Sequence, residues 1–166
     1  LDNLVSFDPD HLVQPDEMLP LDKWAVTRLN TLIEKVFAAY DNYEFHVVSH
    51  MINDFCVVDL SSFYFDIIKD RLYCGEASGL ERRSAQTAVW LILDAMTRMF
   101  APILAFTCDE VWLAMPHRSA DDARNVLFNE MVQPYAAYAL SEEEMGKWAR
   151  LAALRTAVNG ALEQAR

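Results

Sequence analysis

Apolar residues recur at steps of three and four along most of this chain, the rhythm of helices that each bury one face. Residues 21–40 predict a first helix, with Val26, Leu29, Ile33, Val36, Phe37 and Tyr40 on one stripe. Asp22 sits near its start, where a carboxylate suits the helix dipole, and Asp41 and Asn42 break the run. Residues 44–59 predict a second helix, with Val48, Met51, Ile52, Phe55 and Cys56 inward and His46, His50, Asn53 and Asp54 largely opposite. From Leu60 to Cys74 the rhythm falters. The run is rich in aromatic and β-branched residues, and Ser61 and Ser62 can interrupt or re-cap a helix, so it reads as irregular helix. Gly75, Ser78 and Gly79 mark a turn.

Residues 80–101 predict the third and longest helix, with Ala85, Val89, Ile92, Met96, Met99 and Phe100 on one face. Asp94 and Arg98 form an i,i+4 pair in the favourable order, and Pro102 stops the helix. Two capping boxes follow. Thr107-x-x-Glu110, with Phe106 and Val111 as its staple, predicts a helix over 107–115. Ser141-x-x-Glu144, with Leu140 and Met145, predicts a last helix over 141–166, with Trp148, Leu151, Leu154, Val158 and Leu162 inward. Between them residues 117–135 are polar and broken, with a short extended run at 125–128. Residues 1–20 hold Pro9, Pro15 and Pro20 and little periodicity, and read as an extended lead-in that packs on the helical domain of residues 21–166. The expected fold is therefore all-α, a bundle of about five helices joined by short loops.

Composition narrows the picture. The chain has 166 residues, 53% of them apolar, enough for one domain with its own core. No apolar run is long enough to span a bilayer. The three cysteines are widely spaced and include no CxxC pair, so a zinc knuckle is not indicated and a reducing, cytoplasmic setting fits. The chain begins at Leu1 in mid-pattern, as a piece of a longer protein would. Its formal net charge of −11 argues against a nucleic-acid partner, because phosphate binding draws on basic surface. The distribution softens this. Asp2, Asp8, Asp10, Asp16 and Glu17 open the chain without a base, whereas Lys147, Arg150, Arg155 and Arg166 face only Glu163 in the last twenty residues.

Candidate chemistry is sparse. His46, His50 and Asp54 step by four along one helix face, a spacing that metal ligands can use, but no fourth ligand or HExxH pattern accompanies them, and a solvated polar face is the better account of them. Paired carboxylates at Asp8/Asp10, Asp121/Asp122 and Glu142–Glu144 lie in loops or a helix first turn, where the dipole accounts for them. No phosphate-cradling GxxxxGK[ST] or GxGxxG and no GxSxG is present. A basic and aromatic group remains. Trp24, Arg28 and Lys35 lie along the first helix, Lys69, Arg71 and Tyr73 in the irregular stretch, and Arg82 and Arg83 at the start of the third helix. Cations hold phosphates and exposed aromatics stack on unpaired bases. The competing account is ordinary surface charge paired with Glu34, Asp70 and Glu81.

These same residues carry a resemblance. LDNLVSFDPD, LPLDKWAVTRLN, YEFHVVSHMINDFCVVDLSSFYFDIIKDRLYC and ERRSAQTAVWLILDAMTRMFAPILAFTCDEVW, in that order, resemble the anticodon-binding helical domain of isoleucyl-tRNA synthetases, strongly to about Trp112 and more loosely beyond. The Asp22, Trp24, Arg28, Leu29 pattern and the block from Phe100 to Trp112 are shared with related class Ia synthetases, valyl and leucyl included. The run from Asp59 to Cys74 looks isoleucyl and bacterial in style. The resemblance implies a non-catalytic module that docks tRNA(Ile), within an enzyme that charges it with isoleucine using ATP and magnesium. The catalytic and editing parts would lie upstream, and many bacterial members carry a zinc-binding tail downstream. It also implies a cytoplasmic monomer with no DNA or membrane partner. Trp24, Arg28, Lys35, Ser61, Ser62, Lys69, Arg71, Arg82 and Arg83 are the expected tRNA-binding residues. An acidic helical protein-interaction domain is the alternative from a different class.

Overall fold

A computed structural model describes residues 2–4 and 6–165. Helix α1 (Pro20–Asp41) begins with proline in its first turn, where the missing N–H is not needed. Helix α2 (Phe45–Asp54) runs into a π-helical segment (Phe55–Tyr64) and on into α3 (Phe65–Cys74), one continuous rod. Helix α4 (Leu80–Phe100), α5 (Ala105–Ala114) and α6 (Glu142–Gln164) complete five rods, and no β-strand occurs among the described residues. Helix α1 lies at the centre, packed against both the α2–α3 rod and α4. The lead-in folds over this group through a series of turns rather than one extended strand, burying Leu4, Phe7, Val13 and Met18. No helix among the described residues is long and apolar enough to cross a membrane.

The irregular stretch has a simple geometry. Buried positions along the rod are Val48, Ile52, Phe55, Leu60, Tyr64, Ile68 and Leu72. All steps are three or four residues except Phe55 to Leu60, which is five. An α-helix would rotate Leu60 away from α1, and the wider π turn absorbs the extra residue and keeps one face inward. Ser61 and Ser62 do not end the helix. Their hydroxyls donate to the carbonyls of Cys56 (2.8 Å) and Val57 (2.7 Å), five residues back, so carbonyls in the widened turns gain donor partners. Gly75 ends the rod where a Cβ would collide with the Arg71 carbonyl oxygen, a contact glycine avoids.

A buried carboxylate ties four segments together. Asp22, fully enclosed in α1, accepts from the Tyr64 hydroxyl (2.7 Å), from both terminal nitrogens of Arg71 (3.1 and 3.2 Å) and from the Ser84 hydroxyl (2.5 Å). A second network sits at the other side of α4. Asp94 and Arg98 pair at 2.8 Å as the i,i+4 spacing predicts, yet they are buried, and Arg118, Asp121 and Tyr135 join them. The Arg98 guanidinium lies over Trp112 and that of Arg118 over Trp90.

Three further sequence expectations fail. Helix α5 starts at Ala105, not at Thr107. The reversal after Pro102 lets the Leu104 carbonyl take the first helical bond from Cys108 N–H, so Thr107 is already inside the helix and caps nothing. Phe106, the expected staple residue, is 91% exposed. The run at 125–128 is a 3-10 turn, because the Asn125 side chain accepts from Leu127 N–H and closes it. The Ser141/Glu144 capping box does form, but the stripe it leads into does not face inward. Leu151, Leu154, Val158 and Leu162 are 52%, 60%, 49% and 62% exposed. Beyond its first turns α6 leaves this stripe uncovered, although Arg155 still ties it to the rod.

Asp22→Ala leaves the Arg71 charge and the Tyr64 hydroxyl without their acceptor, and is expected to lower stability by roughly 3–5 kcal/mol, read as a fall in the urea midpoint. Alkaline pH provides a second check. Burial pushes the Tyr40 hydroxyl, which donates to Met99 O, up to about 12, and burial with the neighbouring Asp22 raises Tyr64 well above its ordinary value. Groups whose folded pKa is raised contribute stability that is full below the unfolded value near 10 and lost as pH climbs past it. Phenolate absorbance of these tyrosines should therefore rise together with loss of helical circular dichroism, above about pH 10.

Candidate nucleic-acid interface

The face of α1 turned toward the π segment presents Arg28, Thr31 and Lys35, spaced by three and four and so in line. Across from them stand Met51, Asp54, Phe55, Val58 and Asp59. Together with Leu32 they enclose an open cavity of about 400 Å³. Its base is apolar and its rim carries two cations, a hydroxyl and two carboxylates. Arg28 holds Asp59 in a two-pronged pair, Nε to Oδ1 at 3.1 Å and a terminal nitrogen to Oδ2 at 2.9 Å. Lys35 is exposed and meets no carboxylate within ion-pair distance among the described residues. Donors, acceptors and an apolar floor of this size suit recognition of a planar heterocycle or its phosphate.

The remaining expected residues divide by position. Trp24 is 7% exposed, edge-on to Phe63 at 4.7 Å and near Trp148 at 6.4 Å, so its ring is a packing element with no face free for a base. Arg71 is committed to buried Asp22 and has little reach to solvent. Ser61 and Ser62 lie on the exposed side of the π segment with their hydroxyl protons spent on the helix itself. Lys69 is exposed on α3 and pairs with Asp66 at 2.9 Å. That hydrogen bond first, and Arg155 after it, hold the Asp66 carboxyl below its usual range. Arg82 and Arg83 line a separate depression at the start of α4. The structure thus brings Arg28 and Lys35 together and sets Arg82 and Arg83 apart from them.

Sequence reasoning missed the carboxylate side of the cavity, Asp54 and Asp59, because a helix of unbroken period does not turn both toward α1. It also missed Arg155. This residue, on α6, donates to the Ser62 carbonyl (2.7 Å) and to Asp66 (2.7 Å), and lies over the Phe63 ring. Separations of 93 and 89 residues leave no local signal for such pairs. His46, His50 and Asp54 are all exposed, and among the described residues no group of three potential ligands converges to hold a metal ion. Cys56, Cys74 and Cys108 are all unpaired thiols.

Residues 22–166 match the family described as the anticodon-binding domain of tRNA ligase. Among similar proteins, an isoleucine–tRNA ligase of Geobacter sulfurreducens is 46% identical over 167 residues, which cover 100% of this chain and 18% of that protein. An isoleucine–tRNA ligase of a Thermoanaerobacter species is 42% identical over 167 residues, again 18% of its length. One of Coxiella burnetii is 44% identical over 164 residues, covering 98% of this chain and 17% of the relative. The chain spans less than a fifth of the length of these relatives.

Arg155 and Trp148 are side chains that hold α6 to the body. Arg155→Ala is expected to speed amide hydrogen exchange in residues 149–164 by roughly two- to fivefold while leaving the α1 and α4 amides unchanged, as loss of a partly exposed ion pair should. Equal acceleration throughout the chain would show instead that α6 is integral to the core.

Proposed function

The chain belongs to the family of anticodon-binding domains of tRNA ligases, and from that premise we propose that it holds the anticodon stem and loop of tRNA(Ile) for a longer isoleucine–tRNA ligase. The observation that carries this reading is the breadth of the likeness. Identity of 42–46% to isoleucine–tRNA ligases runs through essentially the whole chain, including the run from Asp59 to Cys74 that forms much of the π segment and α3. In this reading the intact protein activates isoleucine with ATP and magnesium and transfers it to the tRNA, in the cytoplasm, as a monomer. The anticodon-binding domain contributes docking. Any zinc in the intact protein would belong to the downstream tail that the resemblance implies.

Of the expected contacts, Arg28, Lys35 and Lys69 are exposed or half-exposed and best placed to meet RNA, and Ser61 and Ser62 are exposed as well. Trp24 and Arg71 act through packing, by fixing α1 against the rod. The net charge of −11 sets the strength. With most arginines already paired, this chain alone should bind RNA weakly, in the range of ~10⁻⁴–10⁻⁶ M typical of electrostatic association. One observation favours a second reading, an acidic protein-interaction domain: the exposed stripe of Leu151, Leu154, Val158 and Leu162 on α6.

A titration against an isoleucine anticodon stem-loop, with a valine stem-loop as control and at two salt concentrations, tests the proposal. Salt-dependent binding that prefers the isoleucine loop is the expected outcome. Equal binding to both loops would make the chain a docking scaffold with specificity held elsewhere. No binding to either at low salt, together with self-association through α6, would move the assignment to protein interaction.

A further inference from the structure

Arg82 and Arg83 are two guanidinium groups whose arrangement the fold and the α1 cavity leave unexplained. They line a depression of about 500 Å³ together with Ser6, Ala77, Ser78 and Gln86. No carboxylate lies in that lining. The contrast with other arginines is sharp in so acidic a chain. Of the other described arginines all but Arg150 pair with an Asp: Arg28, Arg71, Arg98, Arg118, Arg124 and Arg155. Arg82 and Arg83 meet no carboxylate within ion-pair distance among the described residues.

Both are nonetheless held in place. A terminal nitrogen of Arg82 donates to the Gly75 carbonyl at 3.2 Å, and one of Arg83 donates to the His11 carbonyl at 2.9 Å while its guanidinium lies over the Phe7 ring. The Arg82 Nε is enclosed and has no acceptor among the described residues. Two acids of the neighbouring segments are already engaged: Asp8 with the His11 ring at 2.6 Å, and Glu76 with the Ser78 hydroxyl at 3.2 Å. Asp8 feels Arg83 only as the least of the influences that lower its pKa. Two partly buried like charges side by side are unfavourable, and more so in the first turn of a helix, where the dipole is also positive. Ser6, at the rim, adopts a left-handed backbone (φ 65°), a conformation that a non-glycine residue keeps only when its surroundings enforce it. A rigid, positively charged, hydroxyl-edged hollow is complementary to a tetrahedral oxyanion.

We propose that this hollow binds a backbone phosphate of the RNA, as an anchor point separate from the α1 cavity. It rests on the RNA-binding reading above. Arg82 and Arg83 supply N–H donors to the two non-bridging oxygens, while Ser78, whose hydroxyl donates to Glu76, and Gln86, whose amide donates to the Asn3 carbonyl, shape the edge. Because a phosphate carries no base information, the contact adds affinity and fixes orientation without favouring one sequence.

The test uses the full 166-residue chain and the isoleucine and valine stem-loops. Arg82→Gln and Ser78→Asp are compared with the parent chain, and thermal melting confirms that each is folded. Ser78→Asp leaves both arginines and their anchors in place and puts a carboxylate in the hollow. Each variant is expected to bind both stem-loops roughly five- to tenfold more weakly at low salt, with the slope of log K against log salt reduced by about 0.7–0.9. Parent-like affinity and slope in both variants would overturn the phosphate site and leave the RNA reading standing. No stem-loop binding by the parent chain at low salt would overturn both. In that event, a rise in melting temperature with inorganic phosphate that Ser78→Asp abolishes would assign the hollow to a free anion instead of RNA.

Discussion

One enclosed carboxylate sets the geometry on which the rest depends. Asp22 lies within the first turn of α1, with no solvent to screen it, and meets donors from the end of the π segment, from α3 and from α4. An ionised group in such a place is tolerated only when its oxygens are fully partnered. That requirement works as a constraint in three directions. Tyr64 must come to rest at one phase of the rod, Arg71 must follow two turns later, and Ser84 must reach across from α4. The Ser84 hydroxyl serves twice, since it also accepts from the Leu19 N–H and so fixes where the lead-in joins α1. A rod with the wrong phase would leave a buried charge half-satisfied, a larger loss than any single apolar contact in the fold.

That phase explains the π segment. The sequence steps from Phe55 to Leu60 in five residues, and only a wider turn brings Leu60, Tyr64, Ile68 and Leu72 back onto the stripe begun by Val48 and Ile52. Periodicity locates the fault but not its resolution, because an inserted residue is compatible with a break, a kink or a widened turn. The serines are equally ambiguous in sequence. A hydroxyl that can end a helix can also bond a carbonyl left over inside one, and Ser61 and Ser62 do the latter. The consequence for binding is direct: the widened turns place Asp54, Val58 and Asp59 opposite Arg28 and Lys35, and the cavity exists because the rod is not a plain α-helix.

Legibility elsewhere follows the range of the interactions. Helices α1 and α4, whose burial is decided by neighbours on the same stripe, start and stop within a residue or so of where spacing and Pro102 put them. The Ser141 capping box is local and forms as its spacing predicts. Thr107 fails because its pattern competes with a tighter reversal at Pro102 that no short motif encodes. The stripe on α6 is the instructive case. Leu151, Leu154, Val158 and Leu162 carry the periodicity of a buried face, and that periodicity is real, but it states only that the face is apolar. Whether anything covers it depends on tertiary placement, and past the first turn the helix is tied to the body through Trp148 and Arg155. At the candidate site the same division holds. Arg28 and Lys35 share a helix face and could be paired from spacing, whereas Arg155 reaching Ser62, or Arg83 reaching His11, depends on the folded chain.

The acidic balance then becomes a statement about approach rather than about affinity alone. A polyanion nearing a surface with a formal charge of −11 is repelled over most orientations. Cations already holding a carboxylate at 2.6–3.2 Å contribute little to the outward field, since each pair is close to neutral at a distance of a Debye length. Attraction is left to cations outside such pairs, among them Lys35 beside the α1 cavity and Arg82 with Arg83 at the head of α4. Separated points of attraction such as these on a repelling background define an axis on the surface, and a rigid stem-loop that satisfies them has little freedom to slide or rotate. By this logic, added surface lysines would strengthen binding while blurring the docked orientation, whereas the acidic surface narrows it.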